Sequence, residues 1–260
     1  MTSQPGTRHA ATGASSAQPG SRPDDYPDVY PNEHRADGNH LGERSHDGRH
    51  GAPRRGQDAV DTPAQAGAPA IADPAPLGLA AFALTTFVLN VFNAGIIDNA
   101  KLEGVVLPVA LFYGGFAQLL AGMWEFKKGN TFGATAFSSF GAFWLAYAAY
   151  AKFVLPGIEN QPDAYKATGL FLLAWTIFAA ILLTGAVRIS GALAMVFLTA
   201  TAAFTLLTIG TLGQDTSITK LGGILGIVSA GFAWYTAWAG IVNDSWKRTV
   251  LPIFAVKSKT

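Results

Sequence analysis

The sequence predicts an all-α membrane protein with six transmembrane helices and cytoplasmic N- and C-termini. Three observations carry that reading. From residue 77 onward the chain divides into apolar runs of roughly 20 residues, enough at about 1.5 Å rise each to cross a hydrocarbon core of about 30 Å. None of these runs alternates with the strict period of two, over about ten residues, that a membrane barrel strand requires. The connections between them carry lysine and arginine very unevenly, and that bias orients short loops toward the cytoplasm.

Residues 1–70 are unlike the rest of the chain. They hold 7 of the 18 basic residues, 9 of the 17 acidic residues and all 5 histidines, among many Gly, Pro, Ser and Ala. Such a segment cannot bury enough apolar surface to offset its ordering entropy, so it is expected to be a disordered cytoplasmic tail. Its first 30 residues offer no apolar core for a signal peptide, so the tail is expected to stay on the chain. The tail histidines, His40, His46 and His50 among them, are irregularly spaced, and no metal site is expected. The zero cysteine count removes disulfides and thiolate ligands.

The six spans are placed at about 77–97, 104–124, 131–152, 167–187, 190–210 and 218–241, within a membrane domain over 71–250 that is followed by a short cytoplasmic tail over 251–260. With the N-terminus inside, the inner segments hold the seven tail arginines, Lys127, Lys128, Arg188, Lys247, Arg248, Lys257 and Lys259. The outer loops hold only Lys101, Lys152, Lys166 and Lys220, beside Asp98, Glu103, Glu159, Asp163 and Asp215.

Polar residues inside the spans are expensive in lipid unless something meets them. In the first span Phe82, Thr86, Asn90 and Asn93 fall on one helical stripe. The second span repeats the pattern with Gly114, Gln118, Gly122 and Glu125. Small residues and amides can join helices for about 0.6 to 2 kcal/mol each, and two such stripes on consecutive helices also suit a polar solute path. The third span adds Thr135, Ser138 and Ser139 near Phe137, Phe140, Phe143 and Trp144. No Asp, Glu, Lys, Arg or His falls near a midplane, which argues against a buried proton relay. A net charge of +1 offers no basic stripe for nucleic acid. The chain lacks a phosphate loop, HExxH and GxSxG, so an enzyme is not expected, nor any cofactor.

Longer motifs then come into play. DPAPLGLAAFALTTFVLNVFNAG at 73–95, FYGGFAQLLAGMWEFKKGNTFGATAF at 112–137, FLLAWTIF at 171–178 and RTVLPI at 248–253 resemble the acetate uptake transporter family of succinate–acetate permeases and fungal acetate and ammonia-export proteins. The resemblance covers about residues 73–253. It implies a homohexamer in the cell membrane, with a pore in each protomer for acetate, succinate and related short carboxylates, by proton symport or channel-like passage. It also implies a hydrophobic constriction formed by Phe82, Phe140 and Ala200. The chain departs from the family pattern at Asp73, where Asn is usual, at Phe140, often Tyr, and at Ala200, usually Leu. Thr86, Asn90, Asn93, Gln118 and Glu125 are the expected substrate path, with Asn90 and Gln118 offering amide donors to one carboxylate. A channel for a neutral solute such as urea, ammonia or undissociated acid, and a membrane scaffold with a partner-binding tail, are the competing readings.

Overall fold

The computed structural model describes residues 71–99 and 101–256, so the expected tail over 1–70 and residues 257–260 lie outside it. Among the described residues the structure is helical, with no strand beyond a single antiparallel bridge between Ser190 and Ala255.

Six long helices follow the expected runs with shifted ends. Helix α1 is Ala75–Asn93. Its start is set by Pro74 and Pro76, whose fixed φ suits a first turn, and Asp73 Oδ1 accepts from Ala75 N at 3.0 Å. The expected span ran to residue 97, but Gly95 takes φ +70 and the apolar Ile96 and Ile97 fall outside the helix. Helix α2 is Leu102–Lys128, longer than expected at 27 residues. It contains a wide π-helical stretch over Ala110–Ala117 and stops at Gly129 in the left-handed region, with Lys127 and Lys128 favourably placed in its last turn.

Helix α3, Thr131–Ala149, opens on Asn130, whose side chain accepts from Gly133 N at 3.1 Å. It runs on through the π-helical turn Tyr150–Val154 and the short Leu155–Ile158. Helix α4 is Ala164–Ala186, α5 is Gly191–Leu212 and α6 is Thr216–Ser245. Ser190 caps α5 through Leu193 N, and Asp215 caps α6 through Ser217 N and Ile218 N.

Five of the six, α1, α2, α4, α5 and α6, are long and apolar enough to cross a membrane. The exception is α3, diluted by Thr131, Thr135, Ser138, Ser139, Tyr147 and two glycines. Its aromatic residues explain why it tolerates that composition: Phe137, Phe140, Phe143 and Trp144 are all buried. This helix presents its apolar bulk to its neighbours rather than to lipid.

The helices pack as a ring in chain order. α1 lies against α2 and α6, α2 against α3, α5 against both α4 and α6, and α4 touches α3 lightly to close the circle. Small residues let the backbones approach. Gly114 of α2 faces the Thr85 side chain of α1, and Gly122 faces Ser138 of α3, so a Cβ at either position would clash. Hydroxyls join the other half: Thr176 Oγ1 to Thr208 Oγ1 at 3.0 Å between α4 and α5, and Ser229 Oγ to Val196 O at 3.0 Å between α6 and α5.

After α6 the chain turns back. Asn243 Oδ1 accepts from Val250 N and Leu251 N, and its Nδ2 donates to Leu251 O. Gly191 N and Ala192 N, two amides at the start of α5, donate to Phe254 O and Ile253 O, and Val256 N donates to Ile189 O. The stretch expected as the beginning of a tail is therefore tied down over residues 250–256.

Candidate permeation path

The ring encloses two cavities that abut at the same two side chains. The first, about 500 Å³, is bordered by all six helices and receives Thr86, Asn90 and Asn93 from α1, Trp144 and Tyr147 from α3, and Ser229 from α6. The second, about 310 Å³, lies among Gln118, Phe132, Phe137, Phe140 and Phe197, with Asp73, Asn130 and Ile253 also on its wall. Phe82 and Ala200 line both.

Between the cavities the packing is aromatic. The Phe82 and Phe140 rings meet edge to face with centroids 5.4 Å apart. Phe140 also lies within 6.0 to 6.3 Å of Trp175, Phe178, Phe197 and Phe204. Phe197 and Phe204 stand on α5 three residues before and four after Ala200, so they flank the alanine on the same face. The space left at Ala200, where Leu is usual, is thus bounded above and below by rings. The sequence reading missed both, although their spacing from Ala200 was there to be read.

The polar residues divide unequally. Asn90 Nδ2 donates to Thr86 O at 2.8 Å and Asn93 Nδ2 donates to Asn90 Oδ1 at 3.3 Å, so the α1 stripe bonds along its own helix. Gly226 of α6 lies directly against the Asn90 carboxamide, where any Cβ would collide with it. Gln118 is 1% exposed, and its Oε1 has no hydrogen-bond partner. Thr86 Oγ1 and Trp144 Nε1 in the first cavity are likewise unpartnered.

Two expectations change. Asn90 and Gln118 do not share a site: one borders the first cavity and the other the second. Glu125 borders neither cavity. It is fully buried, its Oε2 accepts from Asn130 Nδ2 at 2.8 Å, and it packs against Gly133, so it fastens the α2–α3 turn instead of lining a path.

The charged groups on the walls are acidic. Glu103 and Glu159 line the first cavity and Asp73 the second, while no Lys, Arg or His among the described residues lines either. Asp73 is held by Lys128 Nζ at 2.7 Å. No group of three or more metal-ligating side chains occurs among the described residues.

This architecture has a known counterpart. Residues 59–257 match the model of the GPR1/FUN34/yaaH family. The chain belongs to that family. Among its relatives, acetate permease A of Emericella nidulans is 43% identical over 199 residues, covering 70% of this chain and 65% of that protein. The succinate-acetate/proton symporter SatP of Escherichia coli K12 is 39% identical over 183 residues, covering 70% of this chain and 95% of that protein. The chain therefore spans about two thirds of the fungal relative and nearly all of the bacterial one. The solved structure of the bacterial acetate channel SatP matches at a TM-score of 0.64 with 39% identity, over 71% of this chain and 99% of that one. Like its family, this chain is a multi-pass membrane protein built from helices.

Proposed function

We propose that the chain is a transporter of acetate and related short carboxylates, succinate among them, and not an enzyme. It acts in the cell membrane by a route through each protomer. The carrying observation is the abutment of two cavities at Phe82 and Ala200 beside Phe140, which suits a solute path interrupted by one apolar narrowing. The names of the relatives support the substrate class. In this reading Thr86, Asn90, Asn93 and Gln118 border the path, and Phe82, Phe140 and Ala200 form its narrowing. All six helices cross the bilayer, α3 being tolerated as the most enclosed by its neighbours. The basic asymmetry of the loops supports both termini in the cytoplasm. The exposed apolar side chains on α2, Phe112, Phe116, Met123 and Trp124 among them, leave ample surface for lipid and for the neighbours in a homohexamer.

The test is uptake of labelled acetate into vesicles containing the purified chain, against protein-free vesicles. Protein-dependent uptake that succinate competes for is expected. Uptake equal to the protein-free control would remove the reading.

A further inference from the structure

The walls of the two cavities carry a charge pattern that does not suit an anion. Glu103 and Glu159 line the first cavity and Asp73 the second, with no cationic side chain of the described residues on either wall. A carboxylate entering through the first cavity therefore meets like charge, and from either end it meets no cationic side chain on the wall before the aromatic junction, where it must also shed its water. Among the described residues near the second cavity, only Asp73 has a cationic partner. Lys128, at the end of α2, is bonded to Asp73, and Glu125 is buried behind Asn130. The residues of α3, α5 and α6 that line Gln118's cavity, Phe137, Phe140, Phe197 and Thr236 among them, are all uncharged.

Gln118 completes the pattern. Its carboxamide is almost wholly buried on the wall of this cavity, with Oε1 unpartnered. An amide offers an acceptor and a donor side by side. A carboxylate anion presents acceptors only and leaves the Oε1 unmet. An undissociated carboxylic acid presents an O–H and a C=O, the matching pair.

Taking the permease reading as its basis, we propose that the species crossing the Phe82–Phe140 junction is the undissociated acid, recognised by Gln118 through paired hydrogen bonds. The proton joins the carboxylate oxygen in water on one side, forming the O–H bond, and leaves it in water on the other. For acetate one proton and one carboxylate are released for each acid that crosses, and for succinate two protons for each dicarboxylate. Net charge movement is zero, and no side chain has to carry the proton. For acetate a passive route of this kind reports as one-to-one proton symport, which accommodates both the channel and the symporter names of the relatives.

The test uses the whole chain in vesicles and in a planar bilayer, with acetate as the probe and protein-free membranes subtracted. At fixed total acetate and clamped potential, protein-dependent flux should rise about tenfold for each unit the pH falls above the acid's own pKa, as the undissociated fraction does. The bilayer should carry no acetate current. Flux that is level with pH, together with a current reversing at the acetate equilibrium potential, would overturn the proposal and leave the permease reading intact. Absence of protein-dependent acetate flux at every pH would remove the permease reading and the proposal with it.

Discussion

Replacing Phe140 by alanine puts the junction to its most direct test. The ring is 2% exposed and touches Phe82, Phe143, Trp175, Phe178, Phe197 and Phe204. Truncating a buried phenylalanine costs about 3 to 5 kcal/mol where the vacated space stays empty. In a membrane the transfer contribution shrinks, because the separated helices sit in lipid as apolar as the core, and lost packing carries most of the effect. The low end, about 3 kcal/mol, is therefore expected. For a domain of this size that corresponds to a fall in Tm of roughly 6 to 12 °C. The vacated ring should also enlarge the second cavity, about 310 Å³, beside the Phe82 and Ala200 walls that it shares with the first. Thermal stability followed by size-exclusion chromatography and paired uptake of acetate and succinate read the two effects separately. Phe140→Ala should lose both stability and discrimination, while Phe140→Tyr, which keeps the ring, should lose neither. A destabilised Phe140→Ala protein with an unchanged acetate to succinate ratio would refute the placement of the narrowing.

Ala200→Leu should fill the gap between Phe197 and Phe204 and sharpen the preference for acetate over succinate in competition uptake. Gln118→Leu keeps bulk and removes the amide, so transport should fall steeply while stability moves by no more than about 1 to 2 kcal/mol; equal loss of both would mark Gln118 as a helix tie only. Reporter fusions after Gly157 and after residue 248 should read outside and inside respectively, and the opposite pair would invert the topology. Asn243→Ala deletes three hydrogen bonds to residues 250 and 251, at about 1 kcal/mol each, and limited proteolysis should then cut this segment faster without dissociating the six helices.

What the sequence made legible follows from which physics is local. Apolar runs of about 20 residues announce helices because lipid leaves the backbone no other way to bond, and a helix stands at each of the six runs, five of them long and apolar enough to cross a membrane. Their ends moved because caps are set by single residues: Gly95 stops α1 early, and Gly129 lets α2 run to Lys128. The membrane residues of α1 share a stripe, and that stripe does border one cavity, since a period of 3.6 holds within one helix. Which cavity faces Gln118 depends instead on how α2 sits between α1 and α3, a matter of Gly114 meeting Thr85 and Gly122 meeting Ser138, and no spacing in one helix encodes it. Glu125, expected on the path, borders neither cavity, and its partner Asn130 stands only five residues away beside a glycine stop. That short spacing makes the fastened turn legible in the sequence.

The strap over residues 250–256 bears on how such a protein is made. Ile253 forms part of the wall of the second cavity, and its carbonyl and that of Phe254 satisfy amides at the start of α5, yet these residues follow every helix in the order of synthesis. Five helices can enter the bilayer and find their neighbours while one wall of the lumen is still missing from the ribosome's product. The mouth on that side is finished last, after α6 is in place and the chain has doubled back. A nascent or prematurely stopped polypeptide thus carries an unfinished rim, with the Gly191 and Ala192 amides still without the carbonyls that close it.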